Sequence, residues 1–137
     1  MILVDTGPLV ALFDPRDDAH DRCTGVLETL QGQITTTVPV LTEAVHLLQP
    51  ASFGAMRLMD FIAYGGLEIL FLDDTGISRA FDLMVQYADS PMDLADASLV
   101  VAAERHDVRT VFTIDRDDFA TYRIRRGHRH FAFDVVG

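Results

Sequence analysis

Ile2-Leu3-Val4-Asp5-Thr6-Gly7-Pro8 is a short apolar run, a carboxylate, and a turn into a helix. The run is too short for a helix and bears no charge, so it reads as a buried strand. Pro8 suits the first position of the helix that follows. The same alternation recurs downstream. Ile34–Val38 is a β-branched strand, and Pro39 opens a helix to about Leu48. Leu67–Leu72 is a strand, and Asp73-Asp74-Thr75 caps a helix to about Asp89. Ser90-Pro91 starts a helix to His106, Arg109–Ile114 is a strand, Asp115–Phe119 an acidic turn, and Phe131–Val135 a last strand. Helices over Ala19–Leu30 and Ala51–Tyr64 complete the reading. Strands alternating with helices imply βαβ units around a mainly parallel sheet.

At 137 residues the chain is one domain's worth, 1–137, and its 49% hydrophobic content suffices for one core. No apolar stretch reaches the roughly 18 residues of a membrane span, and Met1-Ile2-Leu3-Val4-Asp5 has no basic n-region, so no signal peptide is expected. Cys23 stands alone, so no internal disulfide forms. The expectation is a cytoplasmic protein without a membrane partner.

Net charge is −10, which argues against binding a polyanion by bulk attraction. The charge is uneven. Residues 1–120 carry 7 Arg and 20 acids, net −13. Residues 121–137 carry Arg123, Arg125, Arg126 and Arg129 against Asp134, net +3. There is no lysine, which excludes P-loop, Schiff-base and receiver-lysine chemistries. Arginine contacts phosphate or carboxylate bidentately, so the basic tail is a candidate RNA- or partner-binding segment. Its alternative is a solvated strand.

Four acids sit where folding could gather them. Asp5 and Asp115 end apolar strands, and ligand sites in parallel sheets lie beyond such carboxyl ends. Glu43 and Asp96 lie on helices in line with apolar neighbours. Carboxylates so placed are costly without a partner, and a hard divalent cation with oxygen ligands is the most economical one. Metal-dependent phosphodiester chemistry follows. With Ser90 as N-cap and Pro91 at the first helical position, Asp93 falls at N3 with a capping role, and Asp96 falls too deep for capping. Thr6, rather than Asp5, is the expected cap of the first helix. Asp118 is open between a second metal ligand and a helix cap. Asp117 reads as a solvated turn residue.

The pieces Ile2-Leu3-Val4-Asp5-Thr6-Gly7, Leu41-Thr42-Glu43-Ala44, Pro91-Met92-Asp93-Leu94-Ala95-Asp96-Ala97-Ser98-Leu99-Val100 and Val111-Phe112-Thr113-Ile114-Asp115-Arg116-Asp117-Asp118-Phe119 occur in one order over nearly the whole chain. Together they resemble PIN-domain ribonucleases, most closely the VapC-like toxins of type II toxin–antitoxin systems. The resemblance implies a three-layer α/β/α sandwich with about five mainly parallel strands. It implies a Mg²⁺- or Mn²⁺-dependent endoribonuclease with catalytic, metal-holding acids Asp5, Glu43, Asp96 and Asp115, and Asp118 as auxiliary; Asp93 is a further metal candidate. It also implies a small antitoxin partner and, often, a toxin homodimer. Hydrolysis would use water, with Asp96 or Asp115 accepting its proton.

Other readings are a housekeeping RNA-processing nuclease, an inactive binding module, and an aspartyl-phosphate phosphatase. The last wants an Asp two residues after Asp5, where Gly7 stands, and the missing lysine also counts against it.

Overall fold

The computed structural model describes all residues, 1–137. Five parallel strands form one sheet: β1 (Ile2–Val4), β2 (Ile34–Thr37), β3 (Glu68–Leu70), β4 (Thr110–Phe112) and, closing the chain, β7 (Asp134–Val136). Their spatial order is β3-β2-β1-β4-β7. Leu3 of β1 lies beside both Thr35 of β2 and Val111 of β4. Every residue of β1 and β2 is buried. That requires helices on both faces and explains why Ile2-Leu3-Val4 carries no polar alternation. The architecture is the three-layer α/β/α sandwich expected.

The first half runs α1 (Thr6–Phe13), α2 (His20–Thr29), α3 (Val38–Leu48) and α4 (Phe53–Ala63) between its strands. The second half adds α5 (Asp74–Gln86), α6 (Leu94–His106) and the short α7 (Arg116–Thr121). From β1 the chain builds outward to β2 and β3. It then crosses back to place β4 on the other side of β1. The β1/β4 seam is therefore the topological switch point, where parallel sheets open a crevice at their carboxyl ends.

The threonines of β2 are an unusual core. Thr36 Oγ1 donates to the Val4 carbonyl at 2.7 Å. Thr37 Oγ1 lies 2.6 Å from Ser98 Oγ, and Ser98 donates to the Ala95 carbonyl at 2.6 Å. The Thr37–Ser98 contact ties the first turns of α6, which carry Asp96, to the end of β2. Val100, Ala97, Leu99 and Ala103 are wholly buried on the same helix.

Several boundaries differ from the sequence reading. α6 begins at Leu94 with Asp93 as N-cap, not at Ser90-Pro91. The Asp115–Phe119 segment is not a turn alone; it leads α7, because Phe119 is drawn fully into the core. The last strand, expected over Phe131–Val135, is two strands divided at buried Phe133. Before them lies β5 (Arg123–Arg126), which pairs antiparallel with β6 (Arg129–Ala132) in a separate hairpin. Arg-Ile-Arg-Arg offers only Ile124 to the core, so its hydrophobic signal is a single residue.

Candidate active site

The acids converge at the β1/β4 switch point. Asp5 directly follows β1 and is 8% exposed. It is the N-cap of α1, contrary to the expectation that Thr6 would cap. One carboxylate oxygen accepts from the Thr6 amide at 2.8 Å, and the other accepts from Thr113 Oγ1 at 2.9 Å. Both carboxylate oxygens are thus oriented, one by the first residue of α1 and the other by the residue that follows β4. Burial nevertheless pushes the Asp5 carboxyl up to about 6, against the lowering effect of those two bonds. The neighbouring carboxylates Glu43 and Asp93 add to the rise.

Asp93 and Asp96 form a capping box at the start of α6. The Asp96 amide donates to Asp93 Oδ1 at 2.8 Å, and the Asp93 amide reaches Asp96 Oδ2 at 3.5 Å. The expectation that Asp96 lies too deep to cap is corrected: it occupies N3, and Asp93 is the N-cap rather than N3. The three-residue offset arises because Ser90, Pro91 and Met92 stay outside the helix. Asp96 Oδ2 also accepts from Tyr122 Oη at 3.1 Å. Burial first, then the charges of Asp93 and Asp5, raise the Asp96 carboxyl to about 7. Burial beside these carboxylates holds the Tyr122 phenol far above its ordinary range, so it stays a donor. Tyr122 is fully buried and packs edge-on against Tyr87 and Phe119, with ring centroids 5.2 Å apart in each pair.

Asp115 stands just beyond β4, its amide held by Thr113 Oγ1 at 2.9 Å. Thr113 therefore bridges the two strand-end acids. Asp118, on the first turn of α7, is raised to about 6 by partial burial, then by a hydrogen bond with the Asp115 carboxyl and its charge. Glu43 enters from α3, half-buried.

A cavity of about 430 Å³ collects these groups. Its wall holds seven carboxylates, those of Asp5, Asp17, Glu43, Asp93, Asp96, Asp115 and Asp118, and no basic residue. All six acids singled out from the sequence are among them. Asp117 is not, as expected of a solvated residue. Sequence reasoning missed Asp17, which the polar break Asp14–Asp18 hid among equivalent acids. It also missed Thr113, which the alternation Val111, Thr113, Asp115 could have suggested, and Tyr122, for which no sequence signal exists.

As the side chains stand, no three acidic, histidine or cysteine residues form a closed group that could hold an ion. The donor set still fits a hard divalent cation. It is all oxygen, with no thiol or imidazole. Thr6 Oγ1 on the same wall is buried with no hydrogen-bond partner. Mg²⁺ in particular keeps several waters and takes one or two carboxylates rather than a protein cage.

The four tail arginines are not at this cavity. Arg123 turns back on the end of α7, donating from Nη1 to the carbonyls of Ala120 at 2.7 Å, Tyr122 at 2.9 Å and Thr121 at 3.3 Å. Arg126 pairs with Asp107 at the far end of α6. Arg125 and Arg129 are exposed.

The PIN domain profile matches residues 2–124, and the chain belongs to the PIN domain family. Ribonuclease VapC26 of Mycobacterium tuberculosis (strain ATCC 25618 / H37Rv) is 25% identical over 130 residues, covering 93% of this chain and 96% of that protein. The fold is similar to the crystal structure of Mycobacterium tuberculosis VapC20, described as a Sarcin-Ricin loop cleaving toxin. The TM-score is 0.78 at 17% identity, over 86% of this chain and 92% of that one. A toxin–antitoxin complex from Klebsiella pneumoniae superposes with a TM-score of 0.67 at 21% identity, over 88% and 92%. No helix here is long and apolar enough to cross a membrane.

Proposed function

We propose that this chain is a Mg²⁺- or Mn²⁺-dependent endoribonuclease that hydrolyses RNA phosphodiester bonds, and that it is the toxin of a type II toxin–antitoxin pair. One observation carries the reading: seven carboxylates without a basic residue share one cavity at the switch point of a PIN sheet. Such a wall repels phosphate unless cations intervene, so the charge that binds substrate must arrive with it. The names of the relatives, a ribonuclease and a loop-cleaving toxin, support the substrate class.

Asp5, Asp96, Asp115 and Glu43 would hold the ion, with Asp118 and Asp93 at its margin. When bound, the ion supplies a water of lowered pKa and neutralises charge on the scissile phosphate. The remaining work falls to the chain. Thr113 and the Thr6 amide fix both oxygens of Asp5. Tyr122 and the Asp93 amide fix Asp96. Asp96 or Asp115 would take the attacking water's proton through a carboxylate oxygen that the ion leaves free. A groove of about 440 Å³ lined by exposed Leu47 and Phe53 adjoins the cavity and shares Leu47 with it. A small antitoxin seated there would cover the entrance.

The test is cleavage of a labelled single-stranded RNA by the purified chain. Cutting with Mg²⁺ or Mn²⁺, and none with EDTA, is expected. Undiminished cutting in EDTA would sink the mechanism.

A further inference from the structure

The hairpin β5–β6 carries a second, oppositely charged surface. The family match ends at Ile124, so the turn and all of β6 lie beyond it. In the antiparallel register, Ile124 faces Phe131 and Arg126 faces Arg129 on one side of the ribbon. Ile124 is the buried foot. Around half-buried Phe131 stand three guanidinium groups, with Cζ of Arg109, Arg126 and Arg129 at 5.2, 5.4 and 5.3 Å from the ring centroid. The ring faces hold the like charges close together.

Only one of these three has a counter-ion. Arg126 pairs with Asp107, while its Nε and Nη2 are buried without a hydrogen-bond partner. Arg109 donates Nε to the Ala132 carbonyl at 3.3 Å. None of Arg109, Arg125 and Arg129 has a carboxylate within ion-pair distance. A cavity of about 580 Å³ beside the hairpin is lined by Arg79, Arg105, Arg125 and Arg126. Its two acids, Glu104 and Asp107, are already engaged by Arg79 and Arg126. In a chain of net charge −10, this is a concentrated exception.

We infer that Arg109 and Arg129, held on the Phe131 ring of the β5–β6 hairpin, bind the phosphate backbone of single-stranded RNA at a distance from the cut. The inference rests on the ribonuclease reading. Eleven residues of α6 separate Asp96 from Asp107, about 16 Å at 1.5 Å per residue. Phosphates at the hairpin are thus different from the one in the acidic cavity. A substrate repelled by seven carboxylates gains its attachment several nucleotides away, and the contacts carry no sequence information. An acidic protein partner is the rival occupant. RNA is favoured because the acidic cavity on the same molecule needs a compensating anchor for a polyanion. Arg123 is not part of the anchor, since three carbonyls occupy it.

The test compares wild type with Arg109→Gln/Arg129→Gln, each first shown to melt alike. Binding of a 12-nucleotide single-stranded RNA is measured in EDTA across a salt series. The double variant is expected to bind about tenfold more weakly at low salt, with a log–log salt slope shallower by about 1.4 for two lost phosphate contacts. Cleavage of the same RNA with Mn²⁺ should show a raised KM and unchanged kcat. A dinucleotide, too short to span the gap, should be cut equally by both proteins. Unchanged RNA affinity and slope would overturn the anchor while leaving the nuclease standing. Equal binding of poly-glutamate, equally lost in the variant, would overturn the assignment to RNA. If no RNA is cut under any condition, the nuclease reading fails, and the binding series still decides the anchor.

Discussion

Asp96→Asn should raise the melting temperature of the metal-free protein at pH 8. The Asp96 carboxyl is lifted from 3.8 to about 7 by burial and by Asp93 and Asp5. At about 1.4 kcal/mol per tenfold, that places at most about 4 kcal/mol on its ionised form. Asp96 is only half-buried, and solvent screening reduces the figure to about 1–2 kcal/mol. Asparagine removes that charge while keeping an acceptor for Tyr122 Oη and the Asp93 amide. It forfeits a favourable charge at a helix N-terminus, worth about 0.5 kcal/mol. The net gain is about 1 kcal/mol, or about 4 °C in a chain of this length. The sign with pH follows from a folded value above the unfolded one. The protonated carboxyl's contribution is fully present below pH 3.8 and is lost as pH rises through about 7. Mutant and wild type should therefore differ less at pH 5 than at pH 8, the gap growing as pH rises from 3.8 through about 7. Thermal melts in EDTA at both values read this directly. A mutant melting well below wild type at pH 8 would make Asp96 a structural capping residue. A mutant still fully stabilised by Mn²⁺ would remove it from the metal site.

Wild-type stability in EDTA should also fall between pH 5 and 8 as Asp5 and Asp118, both raised to about 6, ionise with Asp96; a flat profile in pH-dependent denaturant melts would contradict the crowding. Thr113→Val strips the Asp5 carboxylate of a donor at 2.9 Å and the Asp115 amide of its acceptor. It should cost about 1–3 kcal/mol in urea unfolding and slow cleavage, whereas full activity would show the strand-end bridge to be dispensable. Glu104→Gln breaks a pair with Arg79 at 2.9 and 3.0 Å and weakens the bond from the Arg125 amide at 2.9 Å. The expected loss is about 2–3 kcal/mol, with faster hydrogen exchange in β5. Gly7→Ala would set a Cβ 2.6 Å from Ile114 Cγ1 on the cavity wall. Because Ile114 can rotate, a loss of activity larger than the loss of stability is expected.

The strands of the main sheet and their parallel arrangement were legible because β1, β2 and β4 are buried on both faces and leave apolar or β-branched runs. Asp5 and Asp115 were legible for the same reason, as the first charged residues after such runs. The start of α6 was not. Ser90-Pro91 has good capping chemistry, but Asp93 with Asp96 makes the reciprocal box, and the box prevailed. The hairpin was hidden because its core contribution is Ile124 and half of Phe131, while its arginines read as solvated charge. Tyr122 reaches Asp96 across 26 residues of chain. Its spacing follows from the packing of Phe119, Tyr87 and α6, and no local pattern announces it.

The most direct measurement is the cleavage rate of one labelled single-stranded RNA across a Mn²⁺ titration, for wild type beside Asp5→Asn. The account predicts no cutting without the ion, a saturable rise for wild type, and for the variant either silence or a rise displaced to much higher Mn²⁺. The same rate with and without Mn²⁺, or a variant whose titration overlays wild type, would contradict a divalent-ion ribonuclease site built on Asp5.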